Sequence, residues 1–318
     1  MASQPPVRIG ARGSKLSLAQ SRQMQRRIAA ALGASESEAE EAAPLVVITT
    51  SGDRIQDRRL LEEGGKGLFV KELEEALLDG RIDCAVHSMK DVPAALPAGL
   101  VIAAIPERED PRDVLVSPEG RALKDLHPGA RLGTASLRRQ AQALAVRPDL
   151  RIELVRGNVD TRLAKLDRGE VDALLLALAG LNRLGLSRRA GVPLDPVAAP
   201  PAPGQGALAI ETRAADSEAV WLAAVRHGPT GLAVAAERGA LEALEGSCRT
   251  AMGAYAWIES GQLHLAAEAL SDDGSYRVRR SDQLGVAAGA APEALARDLG
   301  LKLGRQIRDE AAGRISFG

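Results

Sequence analysis

The chain has 318 residues, 45% of them apolar, and its 41 lysines and arginines offset 42 aspartates and glutamates to a formal net charge of −1. A chain of this length can bury a substantial core and is expected to form two or three domains. The balanced charge excludes a global field that would recruit nucleic acid or membrane. No window approaches the roughly 18 apolar residues of a membrane span, and the N-terminal segment lacks the pattern of a secretion signal. We therefore expect a soluble, cytoplasmic protein.

The first half of the chain alternates strand and helix patterns. Strands are predicted at 7–11, 45–50 and 81–88, with helices at 16–32 and 69–80 between them. Apolar residues recur every three to four positions in the helices and run continuously in the strands, which indicates βαβ units around a parallel sheet. The acidic, low-complexity segment at 33–44 is predicted to be a solvated loop.

The same pattern recurs from residue 131. Strands are predicted at 131–135, 150–157 and 170–180, and helices at 136–146 and 159–169. The end of the second helix and the strand that follows it also have similar sequences in the two halves, LLDGRIDCAV in one and KLDRGEVDALLL in the other. This internal repeat of the strand and helix pattern predicts two similar lobes.

A charged segment bounded by prolines at 106–112 and a Pro- and Gly-rich segment at 196–206 interrupt this pattern. Neither can continue a helix or a central strand, so we interpret them as two crossings between the lobes. After the second crossing, LAIE at 208–211 would add a strand to the first lobe. The remainder predicts a helix at 233–246, three antiparallel strands at 254–259, 262–270 and 276–284, and a last helix from Pro292.

The predicted fold class is therefore α/β. It comprises two similar lobes, like those of periplasmic binding proteins, with mainly parallel sheets, and a C-terminal α+β domain with a three-stranded antiparallel sheet. The predicted domains are lobe 1 at 1–106 and 207–225, lobe 2 at 107–206, and the C-terminal domain at 226–318.

The segment 85–93 carries charge at the end of a strand. Its apolar run breaks off into Lys90 and Asp91 and is stopped by Pro93. The carboxyl ends of strands face the ligand crevice in open α/β sheets. A carboxylate at this position, beside an ammonium group, could therefore transfer protons to or from a substrate. A surface turn is the alternative, because Asp is common before a turn that contains Pro.

Two cysteines are too few for a disulfide framework. Cys84 lies in an apolar strand, where a small buried hydrophobe is the favoured interpretation. Cys248 lies in a turn, LEGSCRT, beside Arg249, where a lowered thiol pKa would make it a nucleophile. The four histidines show no ligand-type spacing, so no metal site is expected.

Six arginines fall where the predicted strands end or the following helices begin. They are Arg12, Arg138, Arg139, Arg156, Arg162 and Arg183, and the hydroxyls of Ser14, Thr134 and Ser136 lie at helix starts. Helix N-termini suit anions, and a guanidinium binds a carboxylate through two hydrogen bonds. The pattern predicts a cleft for a ligand with several carboxylates or phosphates. Ordinary solvated charges are the alternative, and they explain Arg26, Arg27 and Arg188 well.

Six motifs resemble those of the porphobilinogen deaminase family, also called hydroxymethylbilane synthases. They are GGKGLFVKELE (64–74), AVHSMKDVP (85–93), EREDPRD (107–113), SLRRQ (136–140), RGNVDTRL (156–163) and PGQGALAIE (203–211). The resemblance implies a transferase that joins four porphobilinogen molecules head to tail with release of ammonia. The linear tetrapyrrole, hydroxymethylbilane, is then released by hydrolysis. The implied partner is this small-molecule substrate, and the enzyme is expected to be a monomer.

The resemblance also implies roles for single residues. Cys248, in LEGSC where the family has LEGGC, would carry a covalent dipyrromethane primer as cofactor, and Ser247 departs from the usual Gly. Asp91 would bind pyrrole N–H groups, stabilise the cation formed when ammonia leaves and assist proton transfer, with Lys66 and Lys90 as basic catalytic residues. The cofactor would also contact Arg138, Arg139, Ser136, Thr134, Ser14, Lys90 and Asp91, and the substrate would contact Arg12, Arg156, Arg162, Arg183 and Phe69.

Two other classes share some of these features. A two-lobed solute-binding protein for an anionic ligand would have the same architecture and arginine lining, although the Lys90-Asp91 pair and the missing export signal argue against it. An unrelated transferase with Cys248 as its thiol nucleophile is the other class, but no histidine lies close to Cys248 in sequence.

Overall fold

The computed structural model describes residues 5–51, 70–244, 250–286 and 291–317. Lys66, Phe69 and Cys248 lie outside these ranges. The chain divides into a first unit, Met1–Arg108 with Ala207–Gly231, and a second unit, Glu109–Gly206 with Leu232–Gly318. The chain thus leaves the first unit after Arg108 and returns to it at Ala207. The assignment of 226–318 to a domain of its own stays a prediction.

The first unit contains a five-stranded sheet. Its strands are β1 (Ile9–Arg12), β2 (Leu45–Ile48), β3 (Cys84–Ser88), β4 (Leu100–Ala104) and β10 (Leu208–Arg213), in the order β2-β1-β3-β10-β4. β1 pairs in parallel with β2 and β3, and β10 runs antiparallel to β3 and β4. Four strands therefore share one direction. The reversed strand is the one that the chain adds on its return, which confirms the prediction from LAIE.

The described part of the first unit contains helices α1 (Lys15–Ala31), α2 (Ala39–Ala42) and α3 (Lys71–Leu78). α1 buries Met24 and Ile28 against the sheet. The expectation of a solvated loop at 33–44 is wrong. Ser35 and Glu38 form a capping box there, and the helical turns that follow bury Ala39 and Ala43 in the same core.

The second unit contains another five-stranded sheet. Its strands are β5 (Asp113–Val116), β6 (Arg131–Gly133), β7 (Arg151–Glu153), β8 (Ala173–Ala177) and β9 (Val192–Pro193), in the order β7-β6-β8-β5-β9. β6 pairs in parallel with β7 and β8, whereas β5 runs antiparallel to β8 and β9. This topology repeats that of the first sheet, so the prediction of two similar lobes with mainly parallel sheets is confirmed.

Three helices flank this second sheet: α4 (Leu137–Val146), α5 (Val159–Asp167) and α6 (Leu178–Arg183). The strand predicted at 170–180 is too long, because β8 ends at Ala177 and the apolar run continues directly into α6. Leu178, Ala179 and Leu181 are buried in this helix. Periodicity cannot separate a buried strand from a short buried helix that follows it.

The C-terminal part of the second unit is α+β, as predicted. Strands β11 (Ala251–Glu259), β12 (Gln262–Leu270) and β13 (Arg277–Gly285) form an antiparallel sheet, accompanied by helices α7 (Gly228–Ala243) and α8 (Pro292–Glu310). The backbones of α7 and α8 come close together at Gly300. A Cβ at this position would lie 2.0 Å from the carbonyl oxygen of Ala236, so only glycine fits there. Within the described ranges, no helix has both the length and the apolar character needed to cross a membrane.

Candidate active site

A pocket of about 70 Å³ opens at one edge of the first sheet. Because β1 and β3 are parallel, the ends at Arg12 and Ser88 lie at this same edge. The pocket is lined by Arg12, Ser14, Leu16, Ser17, Gln20, Val70, Val86, His87, Ser88 and Asp91. The structure therefore brings together three of the predicted site residues, Arg12, Ser14 and Asp91.

Asp91 is held in a tight turn between two buried anchors. β3 ends at Ser88, and Met89–Asp91 form one 3₁₀ turn. Met89 and Val92 are buried on either side of the charged pair. The Met89 amide donates to the Ala207 carbonyl at 3.0 Å, and the Val92 amide donates to the Met89 carbonyl at 3.1 Å. Lys90 and Asp91 are consequently half-buried on a fixed backbone, and not on a loose surface turn.

The start of α1 forms another wall of the pocket. Ser14 caps this helix by accepting a hydrogen bond from the Ser17 amide at 3.2 Å, and the Ser17 hydroxyl accepts from the Arg12 amide at 3.1 Å. Gln20, one turn further on, donates to the Ser88 hydroxyl at 2.9 Å. These bonds fix β1, α1 and β3 to each other. The helix N-terminus and the Arg12 guanidinium make this wall favourable for an anion.

Sequence reasoning missed a buried histidine in the same pocket. His87 Nε2 lies 2.9 Å from Glu211 Oε2 on β10, and their side chains are 3% and 1% exposed. The second carboxylate oxygen of Glu211 is buried and has no hydrogen-bond partner among the described residues. Glu74 on α3 is also buried, and burial together with the charge of Glu211 raises its pKa. No local sequence pattern indicates this pair, because its members are 124 positions apart.

In the second unit, Arg138 and Arg139 converge on one aspartate. Arg138 Nη1 lies 2.5 Å and Arg139 Nη2 2.7 Å from the carboxylate oxygens of Asp113, at the start of β5. Gln205 donates a further hydrogen bond to Asp113 at 2.8 Å. Burial would raise the pKa of Asp113, but the two guanidiniums outweigh it and hold this pKa well below its usual range.

Arg138 and Arg139 are buried, although they are charged. Arg138 is 5% exposed and Arg139 6%. Both guanidiniums can leave water because Asp113 supplies a counter-charge inside the protein. The same network continues through Gln142 to Glu268 on β12, with hydrogen bonds of 2.9 Å from Arg138 to Gln142 and 2.7 Å from Gln142 to Glu268. The two arginines are therefore rigidly positioned.

Thr134 and Ser136 lie where β6 passes into α4. The Thr134 hydroxyl accepts from the Ser136 amide at 3.1 Å, and the Ser136 hydroxyl accepts from the Arg139 amide at 3.4 Å as the helix cap. The ends of β6, β7 and β8 share one edge because these strands are parallel, and Asp113 is the register partner of Ala177 at that edge. The predicted hydroxyls and the arginine pair are thus placed at one edge of the second sheet.

The other three predicted arginines, Arg156, Arg162 and Arg183, lie on other segments around the second sheet. Arg162 Nε donates to the Gly157 carbonyl and Arg183 Nη2 to the Gly206 carbonyl, each at 2.7 Å. Two expected positions are corrected: Arg156 lies in the loop after β7, which ends at Glu153, and Arg183 ends helix α6. Burial lowers the pKa of Arg183 to about 10.

Two guanidinium nitrogens in this group are buried without a partner among the described residues. They are Nη1 of Arg156 and Nε of Arg183. A buried N–H that makes no hydrogen bond costs roughly 1–3 kcal/mol, and more when it carries charge. A ligand that brings carboxylates would satisfy both atoms.

The prediction for Cys84 is confirmed, since its thiol is completely buried and burial raises its pKa. Lys66, Phe69 and Cys248 lie outside the described residues. Among the residues that are described, no three His, Cys, Asp or Glu side chains group as metal ligands would.

Comparison with known proteins gives one family. Residues 7–220 match "Porphobilinogen deaminase, dipyromethane cofactor binding domain", and residues 231–309 match "Porphobilinogen deaminase, C-terminal domain". The chain is 64% identical over 318 residues to a porphobilinogen deaminase of Phenylobacterium zucineum, covering 99% of each chain. It is 66% identical over 317 residues to one of Caulobacter vibrioides, covering 98% of each. Among solved structures, the periplasmic VFT2 domain of Bordetella pertussis BvgS is 15% identical, with a TM-score of 0.40 over 70% of this chain and 87% of that one.

Proposed function

The chain belongs to the porphobilinogen deaminase family, and we propose that it is a transferase whose two described sites divide the work. It condenses four porphobilinogen molecules head to tail with release of ammonia and then releases hydroxymethylbilane. The pocket of the first unit would carry the chemistry. The arginines of the second unit would hold the carboxylates of the pyrrole chain.

The family's dipyrromethane cofactor fits the residues present. Each of its rings carries an acetate and a propionate, so it brings carboxylates to a protein with buried guanidinium nitrogens on Arg156 and Arg183 that lack partners in the described part of the chain. When bound, the cofactor supplies the pyrrole end to which substrate is added. Its attachment point would be Cys248, which rests on the LEGSC motif and lies outside the described residues.

Asp91 would act on the substrate's developing charge. When the aminomethyl group leaves as ammonia, the remaining pyrrole carries a positive charge that a nearby carboxylate stabilises. The turn between buried Met89 and Val92 fixes where this carboxylate lies, so little reorganisation is needed as the charge develops. Arg12 and Ser14, in the same pocket, would bind a substrate carboxylate. Lys66 and Lys90 are proposed as further basic residues beside the substrate, and Phe69 as its aromatic neighbour.

Arg138 and Arg139 would bind cofactor carboxylates as a preset pair. One carboxylate and two guanidiniums leave the Asp113 cluster with a net positive charge, and the hydrogen bonds to Asp113 fix the geometry of both cations. A site ordered before the ligand arrives loses less conformational entropy on binding. Arg156, Arg162 and Arg183 would contact the substrate carboxylates, with Thr134 and Ser136 adding hydroxyls for the cofactor.

The observation that carries this assignment is the pocket that unites Arg12, Ser14 and Asp91 in a chain of this family. The test is to incubate purified protein with porphobilinogen and measure ammonia and linear tetrapyrrole. We expect both products, together with an intact mass that exceeds the polypeptide by two pyrrole units. An unmodified chain that binds porphobilinogen without releasing ammonia would support the solute-binding alternative. The protein is further proposed to be cytoplasmic and monomeric, and sedimentation measures the second property.

A further inference from the structure

A buried chain of polar side chains connects the C-terminal sheet to Arg138 and has no role in the chemistry described so far. Glu268 on β12 is completely buried, and its two carboxylate oxygens have different partners. One oxygen accepts from Gln142 on α4 at 2.7 Å. The other accepts from Arg279, its register partner on β13, at 2.5 Å. Because a buried charge is costly unless it is paired and hydrogen-bonded, both contacts of Glu268 are strongly constrained.

Gln142 connects Glu268 to Arg138. Its amide nitrogen donates to Glu268 at 2.7 Å and to the Pro200 carbonyl at 2.8 Å. Both of these groups can only accept, so the amide oxygen must point to the other side, where it accepts from Arg138 Nη1 at 2.9 Å. Arg138 and Gln142 are one helical turn apart, which places them on the same face of α4. The amide of Gln142 therefore has a single orientation.

The side-chain hydrogen bonds of Arg138 within the described residues all start from one nitrogen, Nη1. Their acceptors are Asp113 at 2.5 Å, Gln142 at 2.9 Å and the Pro200 carbonyl at 3.3 Å. Arg139 differs, since its Nε, Nη1 and Nη2 all donate to protein groups. The Nε and Nη2 of Arg138 form the side edge of the guanidinium, which can bind a carboxylate through two hydrogen bonds. Anchoring Nη1 thus fixes the direction in which this edge points.

Close packing holds α4 against the C-terminal sheet. Ala141 lies in a buried cluster with Leu270 of β12. The turn between β12 and β13 comes so close that a Cβ on Gly274 would lie 2.4 Å from the Ala141 carbonyl oxygen. Because the helix has so little space to move, the distance between Glu268 and Gln142 is fixed by the backbone.

Glu268 also contributes charge to the arginine pair. Asp113 is one carboxylate that meets two guanidiniums, those of Arg138 and Arg139. Burial lowers the pKa of Arg138, and the negative charges of Asp113 and Glu268 oppose this effect. Glu268 therefore favours the charged form of Arg138 from the side opposite the side edge.

We propose that Glu268 and Gln142 are positioning residues that direct the Arg138 guanidinium toward a carboxylate of the pyrrole cofactor. This inference rests on the proposed function. The C-terminal sheet thereby takes part in the cofactor site through Arg138. A misdirected Arg138 would displace the pyrrole end to which substrate is added, so the loss should appear in kcat. The KM for porphobilinogen should change little, because other arginines are proposed to bind the substrate carboxylates.

The test measures kcat and KM of primer-loaded, full-length variants, with loading checked by intact mass. Glu268→Gln removes the charge and keeps the shape of the side chain. We expect its kcat to fall roughly 10- to 100-fold, the range seen when an outer partner of a binding group is replaced, with KM nearly unchanged. Glu310→Gln is the matched control, because Glu310 pairs with Arg280, the neighbour of Arg279 on β13. This variant should keep both constants.

A double variant separates positioning from a general loss of structure. Combining Gln142→Glu with Glu268→Gln moves the carboxylate next to Arg138 and puts an amide behind it that can donate to it. The total charge and the order of the hydrogen-bond chain are thus retained. We expect the double variant to recover most of the kcat that Glu268→Gln loses.

Gln142→Met keeps the test valid if Glu268→Gln does not fold. It removes the acceptor of Arg138 and leaves Glu268 paired with Arg279, and we expect the same loss of kcat at an unchanged KM. Wild-type kcat in either primer-loaded single variant would overturn the proposal, and so would a loss in Glu268→Gln that the folded double variant does not restore. Failure of the wild type to release ammonia would instead overturn the proposed function.

Discussion

Replacing Asp113 with Asn removes one charge from the centre of the second unit while keeping the shape of the side chain. Asp113 is fully buried and neutralises Arg138 and Arg139, whose side chains are 5% and 7% exposed. Breaking a buried ion pair by removing one partner costs about 3–5 kcal/mol, because the remaining charge stays buried without compensation. We therefore expect Asp113→Asn to lower the free energy of unfolding by about this amount at neutral pH.

Urea unfolding followed by circular dichroism measures this loss, with Asp167→Asn as the control. Asp167 pairs with Arg189 on the surface at 2.6 Å, with 55% of its side chain exposed, and such pairs contribute about 0–1 kcal/mol. Because the folded pKa of Asp113 lies below its unfolded value, its stabilisation is present above roughly pH 4 and is lost as the pH falls further. The stability of Asp113→Asn should accordingly vary less with pH in that acidic range. A loss below about 1 kcal/mol at neutral pH would refute the argument, since it would equal that of a surface pair.

Two further predictions concern the cofactor and the substrate. Cys248→Ser should abolish covalent attachment of the primer while Cys84→Ser retains it, because the Cys84 thiol is buried; intact mass decides, and primer on the Cys248 variant would contradict the assignment. Arg156→Gln should raise the KM for porphobilinogen roughly 10- to 100-fold, as expected for loss of one charge-assisted hydrogen bond. Its melting temperature should not fall, since Nη1 has no partner among the described residues. The exposed Arg188→Gln is the control, and an equal KM in both variants would assign Arg156 no contact with substrate.

Local sequence patterns were sufficient for most of the architecture. The doubled strand and helix pattern predicted both α/β sheets, and the segment 262–270 predicted β12 with its observed bounds. The short strands β4 and β5 were missed because each has four or five residues next to proline-bounded segments, which carry little periodicity. At 33–44 the acidic composition led to the prediction of a loop, although the sequence also contains the capping-box pair Ser35 and Glu38.

Less of the candidate site than of the fold could be predicted from the sequence, because its key contacts join residues that are far apart in the chain. Arginines at strand ends indicated anion binding, but the burial of Arg138 depends on Asp113, which lies 25 positions earlier. His87 was hidden in an apolar strand, and its partner on β10 becomes its neighbour only through the register that pairs Ala209 with His87. Asp91 was found from sequence because its signal is local: charge at the end of a strand, stopped by proline.

The most direct test of this account is the turnover of primer-loaded protein with substitutions at Asp91. A carboxylate that stabilises developing positive charge must keep its charge, so Asp91→Asn should lose at least about a hundredfold in porphobilinogen consumption. Asp91→Glu, which keeps the charge and changes the reach, should lose far less. Intact mass confirms the primer in each sample before the rates are compared. If Asp91→Asn turned over at the wild-type rate, Asp91 would be a turn residue, and the catalytic role of the first-unit pocket would be contradicted.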